Sequence, residues 1–383
     1  ITNKKKTKFM DKYDNIIKEC RDLVESLPPG ATVPSVRRLM KRFGVSQLVI
    51  TQAMNEMKKA GLIVSQVGRG TFKAPADNRE NCPNGVVFLL LPDWQSSFTA
   101  AILTEFARHF TASGYTLKPC YHNYGIERVT PEMLPAESDA LIVYWHWDFD
   151  LNTWEHLARL DYPVVLINSA PQGLGINAVS TDNELGGAMA AGHFLNNGHT
   201  KIGMMLTQPQ LDSTVSRRNG FAKYLMVNGI TPLIIDCNTR PGEQSSARAY
   251  EKMMQLGRSG TFDCTALFCD SDLGALGVMR ACHELELSVP NDLCIIGFDN
   301  IPECGFFHPA LSSIDQNLGE WAVAAEKIIH ACRNDPQVRR TGRQTLIAPS
   351  LVLRESTRRS AAGETVIPWK RPEGFPHGNI AAR

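Results

Sequence analysis

A guanidinium, three carboxylates, an amide and several aromatic rings recur at comparable places in this 383-residue sequence, each just past an apolar run. Arg217 closes the stretch 207–217 after Ile202–Leu206, Asp270 and Asp272 follow Ala266–Cys269, and Asp299 follows Leu293–Gly297. Asn168 ends Val164–Asn168, Trp145 and Trp147 follow Ala140–Tyr144, and Phe98 ends the stretch after Val86–Leu91. A planar guanidinium fork suits vicinal hydroxyls or a carboxylate. An ionised carboxylate accepts two hydroxyls, and an amide both donates and accepts. Aromatic faces stack on the apolar faces of pyranose rings. Together these groups have the chemistry to hold a small polyhydroxylated molecule. Each also has a plainer use: a surface ion pair for Arg217 (with Arg218 competing for its role), a helix cap for Asp272, a turn cap for Asp299, and packing for Trp145, Trp147 and Phe98.

A second set of residues lies in Pro34–Phe72. Gly44-Val45 turns the chain between two helical patterns, and Ser46 is suited to cap the second. Pro34 is expected in the first turn of the helix that precedes that turn. Val49, Ile50, Ala53, Met54 and Met57 mark the inward face of the second helix, which leaves Gln47, Leu48, Thr51 and Gln52 outward. Amide and hydroxyl side chains there can read base edges in a major groove, and Leu48 can meet a thymine methyl or simply face solvent. Arg37 reads as a phosphate contact or a solvated charge. Gly68-Arg69-Gly70 forms a wing tip whose arginine suits a minor groove or phosphate.

Charge separates the two sets. Residues 1–73 carry 15 Lys and Arg against 6 Asp and Glu, whereas the remainder carries 25 against 33. A basic head on an acidic body fits a nucleic-acid module joined to a part that binds something else. Catalytic signatures such as GxSxG, HExxH, a Walker loop or GxGxxG followed by an acid are absent from the sequence. Its ten cysteines form no CxxC pair and no zinc-spaced cluster, so free thiols and no metal or cofactor are expected. No apolar run approaches the roughly 20 residues of a membrane span. Residues 1–14 are polar and Lys-rich rather than a signal peptide, so a cytoplasmic protein is expected.

The elements that must position these residues follow a simple rhythm. Residues 10–74 read as a winged helix-turn-helix unit, and 75–85 as a polar, turn-rich linker. From Val86 to residue 356, apolar runs of four to six residues alternate with helical patterns, the mark of parallel α/β sheets. Ligands of such sheets bind at the carboxyl ends of strands. Residues 360–383 read as a disordered tail.

Pro34, Ser35, Arg37, Gly44, Val45, Ser46, Ala53, Gly61, Leu62, Ile63 and the Gly68-Arg69-Gly70-Thr71-Phe72 run resemble the GntR-type winged helix. Gln47 and Thr51 stand where that family commonly has basic residues. Residues 86–356 resemble the effector body of LacI/GalR regulators, through VSTDNELGGAMAAGHFLNNGHTKIG at 179–203, Ser213–Phe221, FCDSDLGALG at 268–277, VPNDLCIIGFDN at 289–300, HPALSSIDQ at 308–316 and LVLREST at 351–357. The combination is similar to arabinose-type repressors.

The resemblance implies a winged helix-turn-helix joined to a two-lobed, periplasmic-binding-protein-like body. A near lobe would comprise 86–169 and 317–333, a far lobe 177–297 and 345–356. Crossovers would lie at 168–177, 297–302 and 316–317. It further implies an effector gripped by Arg217, Asp299, Asn168 and Asp272, with Phe98, Trp145 and Trp147 as aromatic contacts. The expected protein is a homodimeric repressor of operator DNA controlled by a carbohydrate-like effector, with Thr99–Ser113 and Leu318–Arg333 as the expected dimer surface. The alternatives are an activator, or a sugar-binding protein or enzyme on the same fold.

Overall fold

The computed structural model describes residues 16–66 apart from 17, 25, 29, 60 and 61, together with 70–73, 84–93, 96–122, 129–135, 137–144, 149, 151–168, 175–357 and 365–368. Two compact units divide the chain, Ile1–Asn81 and Cys82–Arg383.

In the first unit, helix α1 (18–24) is followed by α2 (Val36–Phe43), α3 (Gln47–Lys59) and the hairpin β1 (Ile63–Gln66) and β2 (Gly70–Lys73). Helix α2 begins at Val36 with Ser35 as its cap residue in an extended conformation, so Pro34 stands before the helix rather than in its first turn. Gly44 ends α2 with φ 66°, a left-handed conformation that glycine adopts without a Cβ penalty, and its N–H bonds Met40 O. Ile50, Ala53, Met54 and Met57 of α3 bury against Leu39, Cys20 and Val24, as their three-and-four spacing requires. The hairpin is antiparallel, with Gln66 opposite Gly70. Val33 N–H donates to Thr71 O at 2.8 Å and Lys73 N–H to Ala31 O at 2.8 Å, which fastens the wing to the segment before α2.

The second unit continues through β3 (Gly85–Pro92), α4 (Ser97–Ala112), β4 (Tyr115–His122), β5 (Ala140–Tyr144), α5 (Leu151–Arg159), β6 (Val164–Ile167), β7 (Asn177–Thr181), α6 (Asn183–Asn196), β8 (Ile202–Leu206), α7 (Asp212–Val227), β9 (Leu233–Asp236) and α8 (Ser245–Ser259). It closes with β10 (Ala266–Cys269), α9 (Asp272–Glu284), β11 (Cys294–Asp299), β12 (Ser312–Asp315), α10 (Leu318–Asn334), β13 (Gln344–Ile347), β14 (Ser350–Leu353) and β15 (Thr365–Pro368). Lobe 1 is a six-stranded sheet in the order β13-β7-β6-β5-β3-β4, parallel throughout. Lobe 2 is seven-stranded, β15-β14-β12-β11-β10-β8-β9, parallel except for the antiparallel β14 and β15. Strands such as β5, β6, β8 and β10 are buried at every position, as expected where helices cover both faces.

Three expectations are corrected here. Strands β7 and β13 belong to lobe 1, not to the far lobe. Asn177 explains this: its Nδ2 donates to Val338 O at 2.8 Å, and its Oδ1 accepts from Arg343 N at 3.0 Å, so it binds the β13 segment to β7. The chain does not cross between lobes at 297–302, because β11 and β12 are paired neighbours in one sheet. Nor does it cross at 168–177, since β6 and β7 also pair; the expected crossover at 316–317 stands, directly after β12, and the other two follow β7 and β13. They are tied together: Asp182 N–H donates to Ile347 O at 2.8 Å, and Asn317 Nδ2 to Ala348 O at 2.6 Å. Finally, the tail assigned to disorder holds β15, paired with β14 from Ser350↔Pro368 to Leu353↔Thr365.

Helices α6 and α7 meet through glycine. A Cβ at Gly220 would lie 1.9 Å from Glu184 O, and one at Gly187 would lie 2.1 Å from Arg217 O. Gly220→Ala is therefore expected to force the helices apart and destabilise the second unit by about 2 kcal/mol or more. Thermal melting checks this; an unchanged midpoint would contradict the close packing.

Candidate functional site

A cavity of about 570 Å³ opens between the lobes, at the carboxyl ends of their strands. Lobe 1 contributes Asp93, Ser96, Phe98, Tyr144 and Asn168; lobe 2 contributes Gln208, Leu211, Arg217, Arg240, Glu243, Leu273, Asp299 and Ile301, among others. At the top of α4, Ser97 Oγ donates to Glu303 Oε1, a bond from one lobe to the other. Another cavity, of about 460 Å³, is walled by Leu157, Tyr162, Pro336 and Arg340 and draws on lobe 1 alone.

Arg217 is the most constrained polar group in the cleft. It is 5% exposed. Its Nε donates to Asn183 Oδ1 at 2.9 Å and its Nη1 donates to Asp270 O. The guanidinium carbon stacks 3.7 Å from the centroid of Phe298, and Nη1 lies 3.7 Å from Asp299 Oδ1. Among the described residues Nη2 makes no hydrogen bond, so one edge of the fork remains for a ligand. The glycine contact of α6 with α7 sets this geometry, since it brings Asn183 beside Arg217.

Asp299 ends β11 with φ 119° and Asn300 follows with φ 51°. Such backbone costs a non-glycine residue on the order of 1–3 kcal/mol and persists only where neighbours over-determine it. Here they do: Asn300 N–H donates to Ser313 Oγ at 3.0 Å, Asn300 Nδ2 to Asp315 Oδ2 at 2.8 Å, and Arg354 Nη2 to Asn300 Oδ1 at 2.8 Å. The result presents the Asp299 carboxylate at the cleft wall. Burial pushes its carboxyl above the usual range, Arg217 pulls it back, and Asp272 and Asp270 add to the rise.

Asn168 also has a left-handed backbone, φ 81°, and its N–H donates to Val179 O at 3.2 Å. Asparagine tolerates that conformation better than most residues. Phe98 is buried in the lobe 1 wall, its ring edge-on to Trp321 at 6.4 Å. Trp145 and Trp147 lie outside the described residues.

Asp272 is corrected: it is not in the cleft. It is fully buried beneath it, where its Oδ2 accepts from Ile301 N at 2.9 Å and its Oδ1 from Ser313 Oγ at 2.6 Å. Gly297 makes the room, since a Cβ there would lie 2.1 Å from Asp272 Oδ1. Nor is Asp272 the helix cap; Ser271 is, accepting from Gly274 N at 3.2 Å. Asp270 is likewise buried and holds the loop after β8, its Oδ1 accepting from Thr207 N at 2.7 Å. Burial pushes its carboxyl up to about 6, against the pull of the Thr207 bonds.

Arg240, Glu243 and Gln244, in the stretch 238–244, also line the cleft. The position of that stretch, directly after β9, was the signal that could have found them. Tyr144 was likewise assigned to a strand, and only its terminal position in β5 shows that it opens on the cleft.

In the first unit, Arg37, Ser46, Gln47, Thr51 and Gln52 are exposed, as the spacing of α2 and α3 predicts. Leu48 lies on α3 with its side chain outside the described set, and Gly68 and Arg69 lie outside the described residues.

Residues 191–357 match the periplasmic binding protein-like domain family, and residues 12–72 match the gntR family of bacterial regulatory proteins. The HTH-type transcriptional regulator MalR of Streptomyces coelicolor is 28% identical over 342 residues, 84% of this chain and 95% of that protein. The arabinose metabolism transcriptional repressor of Halalkalibacterium halodurans is 26% identical over 86% of this chain and 91% of that one. The HTH-type transcriptional repressor PurR of Aliivibrio salmonicida is 31% identical over 59% of this chain and 69% of that one. A LacI family transcriptional regulator from Enterococcus faecium, solved with bound ribose, superposes with a TM-score of 0.61 at 23% identity, over 72% of this chain and all of that one. Winged head, two-lobed body and relatives agree: the chain belongs to the LacI-type family of helix-turn-helix transcriptional regulators and carries a gntR-type DNA-binding head.

Proposed function

We propose that this regulator is a dimeric repressor whose hold on operator DNA is set by a small carbohydrate-like effector bound between the lobes. The observation that carries this is the cleft wall: a pinned guanidinium, an oriented carboxylate and an amide face the cavity beside the rings of Phe98 and Tyr144. Polar groups that donate and accept at fixed angles, next to apolar faces, match a polyol ring. Arg217, Asp299, Asn168 and Phe98 bind the effector, with Arg240 and Glu243 at its rim. A relative named for arabinose metabolism, and a related fold solved with ribose, support a sugar.

On the DNA side, Gln47, Thr51 and Gln52 read base edges, Leu48 meets a thymine methyl, and Ser46, Arg37 and the wing residues Gly68 and Arg69 fix the head on the backbone. A dimer follows because one small head makes too few contacts for specific affinity. The paired helices α4 and α10 offer one surface for the second copy, and Phe306, 88% exposed, with Phe307 offers another. Effector binding shifts the population between lobe arrangements, and the dimer converts that shift into a change in head spacing. The protein acts without catalysis, in the cytoplasm. No described helix is long and apolar enough to cross a membrane.

A thermal-shift screen of the full chain against mono- and oligosaccharides tests the reading. At least one sugar should raise the melting point, since ligand at about 100 times its Kd stabilises by roughly 2.7 kcal/mol. The same sugar should alter retention of the chain on DNA. A panel without any stabilising member would remove the sugar from the proposal.

A further inference from the structure

A line of buried hydrogen bonds threads the crossovers beneath the cleft. Trp321, on α10 in lobe 1, donates from Nε1 to Thr181 Oγ1 at 3.1 Å. Thr181, the last residue of β7, donates to Gln316 Oε1 at 2.9 Å. Gln316, directly after β12, donates from Nε2 to Asp299 Oδ1 at 2.7 Å. Thr181, Gln316 and Trp321 are at most 1% exposed, whereas Asp299 reaches the cleft from lobe 2.

With Asp299 ionised, the chemistry sets the direction of every link. An indole nitrogen only donates. Thr181 Oγ1 must therefore accept from Trp321, and its single hydrogen points to Gln316, nearer to the side-chain Oε1 at 2.9 Å than to the backbone carbonyl at 3.2 Å. An ionised Asp299 can only accept, so it holds the Gln316 amide nitrogen toward itself and turns Oε1 toward Thr181. Asp299 Oδ1 then accepts. The line starts at a group that can only donate and ends at one that accepts, so no link can be reversed alone. Trp321 also sets its ring edge-on to Phe98 in the opposite wall of the cleft. The path leaves one wall through Asp299, passes two crossovers and reaches the other wall at Phe98.

We infer that Gln316 and Thr181 are positioning residues: they commit one oxygen of Asp299 to the hinge, leave the other for the cleft, and couple any change at Asp299 to Trp321 in lobe 1. The coupling rests on the cleft reading only for what perturbs Asp299 in the cell. A ligand-free experiment therefore separates its failure from that of the sugar assignment.

The test follows the indole N–H signal of Trp321 by ¹⁵N NMR in the full chain, assigned with Trp321→Phe. Thr181→Val removes the acceptor and should speed exchange of that proton at least about tenfold, the equivalent of one lost hydrogen bond. Thr181→Ser keeps the hydroxyl and should restore slow exchange, which a mere packing role would not predict. Above about pH 8, where the Asp299 carboxyl that burial raises to about 8 is ionised, Asp299→Asn should shift the signal and speed exchange about threefold, because a charge-assisted bond becomes a neutral one. In a Gln316→Met background, Asp299→Asn should then have no further effect. A Trp321 signal indifferent to Asp299→Asn, an equal response with and without Gln316, or Thr181→Ser exchanging as fast as Thr181→Val would each overturn the coupling.

Discussion

Arg217→Lys is expected to abolish the response to effector while DNA binding by the head persists. Lysine keeps the charge but loses the fork. It cannot reach Asn183 and the Asp270 carbonyl together while offering a further N–H to the cleft. Hydrogen bonds to charged groups contribute about 1.5–3 kcal/mol each, so loss of one ligand bond lowers affinity roughly 10- to 150-fold. Arg217→Ala is less informative. It strands Asp299 among two other buried carboxylates, and removal of one partner from a buried pair costs about 3–5 kcal/mol of stability. Calorimetric titration of Arg217→Lys with the sugar found in the screen, beside a melting curve, separates the two effects. A wild-type response would refute the assigned role.

Asp272→Ala should do the reverse, with a large loss of stability and little direct loss of affinity. It leaves the Ile301 N–H without its acceptor and the Ser313 hydroxyl without the carboxylate it donates to, inside a fully buried site. Each such orphaned group costs about 1–3 kcal/mol, so the sum is roughly 2–6 kcal/mol. Asp272→Asn is milder. Its carbonyl still accepts from Ile301, and Ser313 can rotate to receive the new N–H, giving a loss of about 1 kcal/mol. Urea unfolding of both variants provides the measurement. Unaltered stability with lost sugar binding in Asp272→Ala would return this residue to the cleft.

That contrast marks the boundary of what the sequence could reveal. Arg217 and Asp299 were readable because each sits at a strand end within a longer motif, and the strands announce themselves as short apolar runs. Asp272 sits at a strand end as well. Its inward direction depends on Ser313 from β12 and on the space left at Gly297, and neither shows in local spacing. The lobe boundaries failed for a similar reason. Strand β7 reads as a buried strand whichever sheet receives it, and the bonds of Asn177 to the segment before β13 decide the matter. Arg240 belongs to no extended motif, and only the place of its loop directly after β9 marks it as part of a polar rim.

Strand β15 also decides where the lobe 2 sheet ends. It lies at one border of the lobe 2 sheet and covers Leu351, Val352 and Leu353 of β14, all buried. A strand border with open N–H and C=O groups is a template for intermolecular pairing. Pro368, at the end of β15, lacks the donor that would prolong such a border. The stretch that composition assigns to a loose tail thus acts as a selvedge: trimmed away, it would leave three apolar residues on a raw edge, inviting aggregation where the intact chain closes its weave.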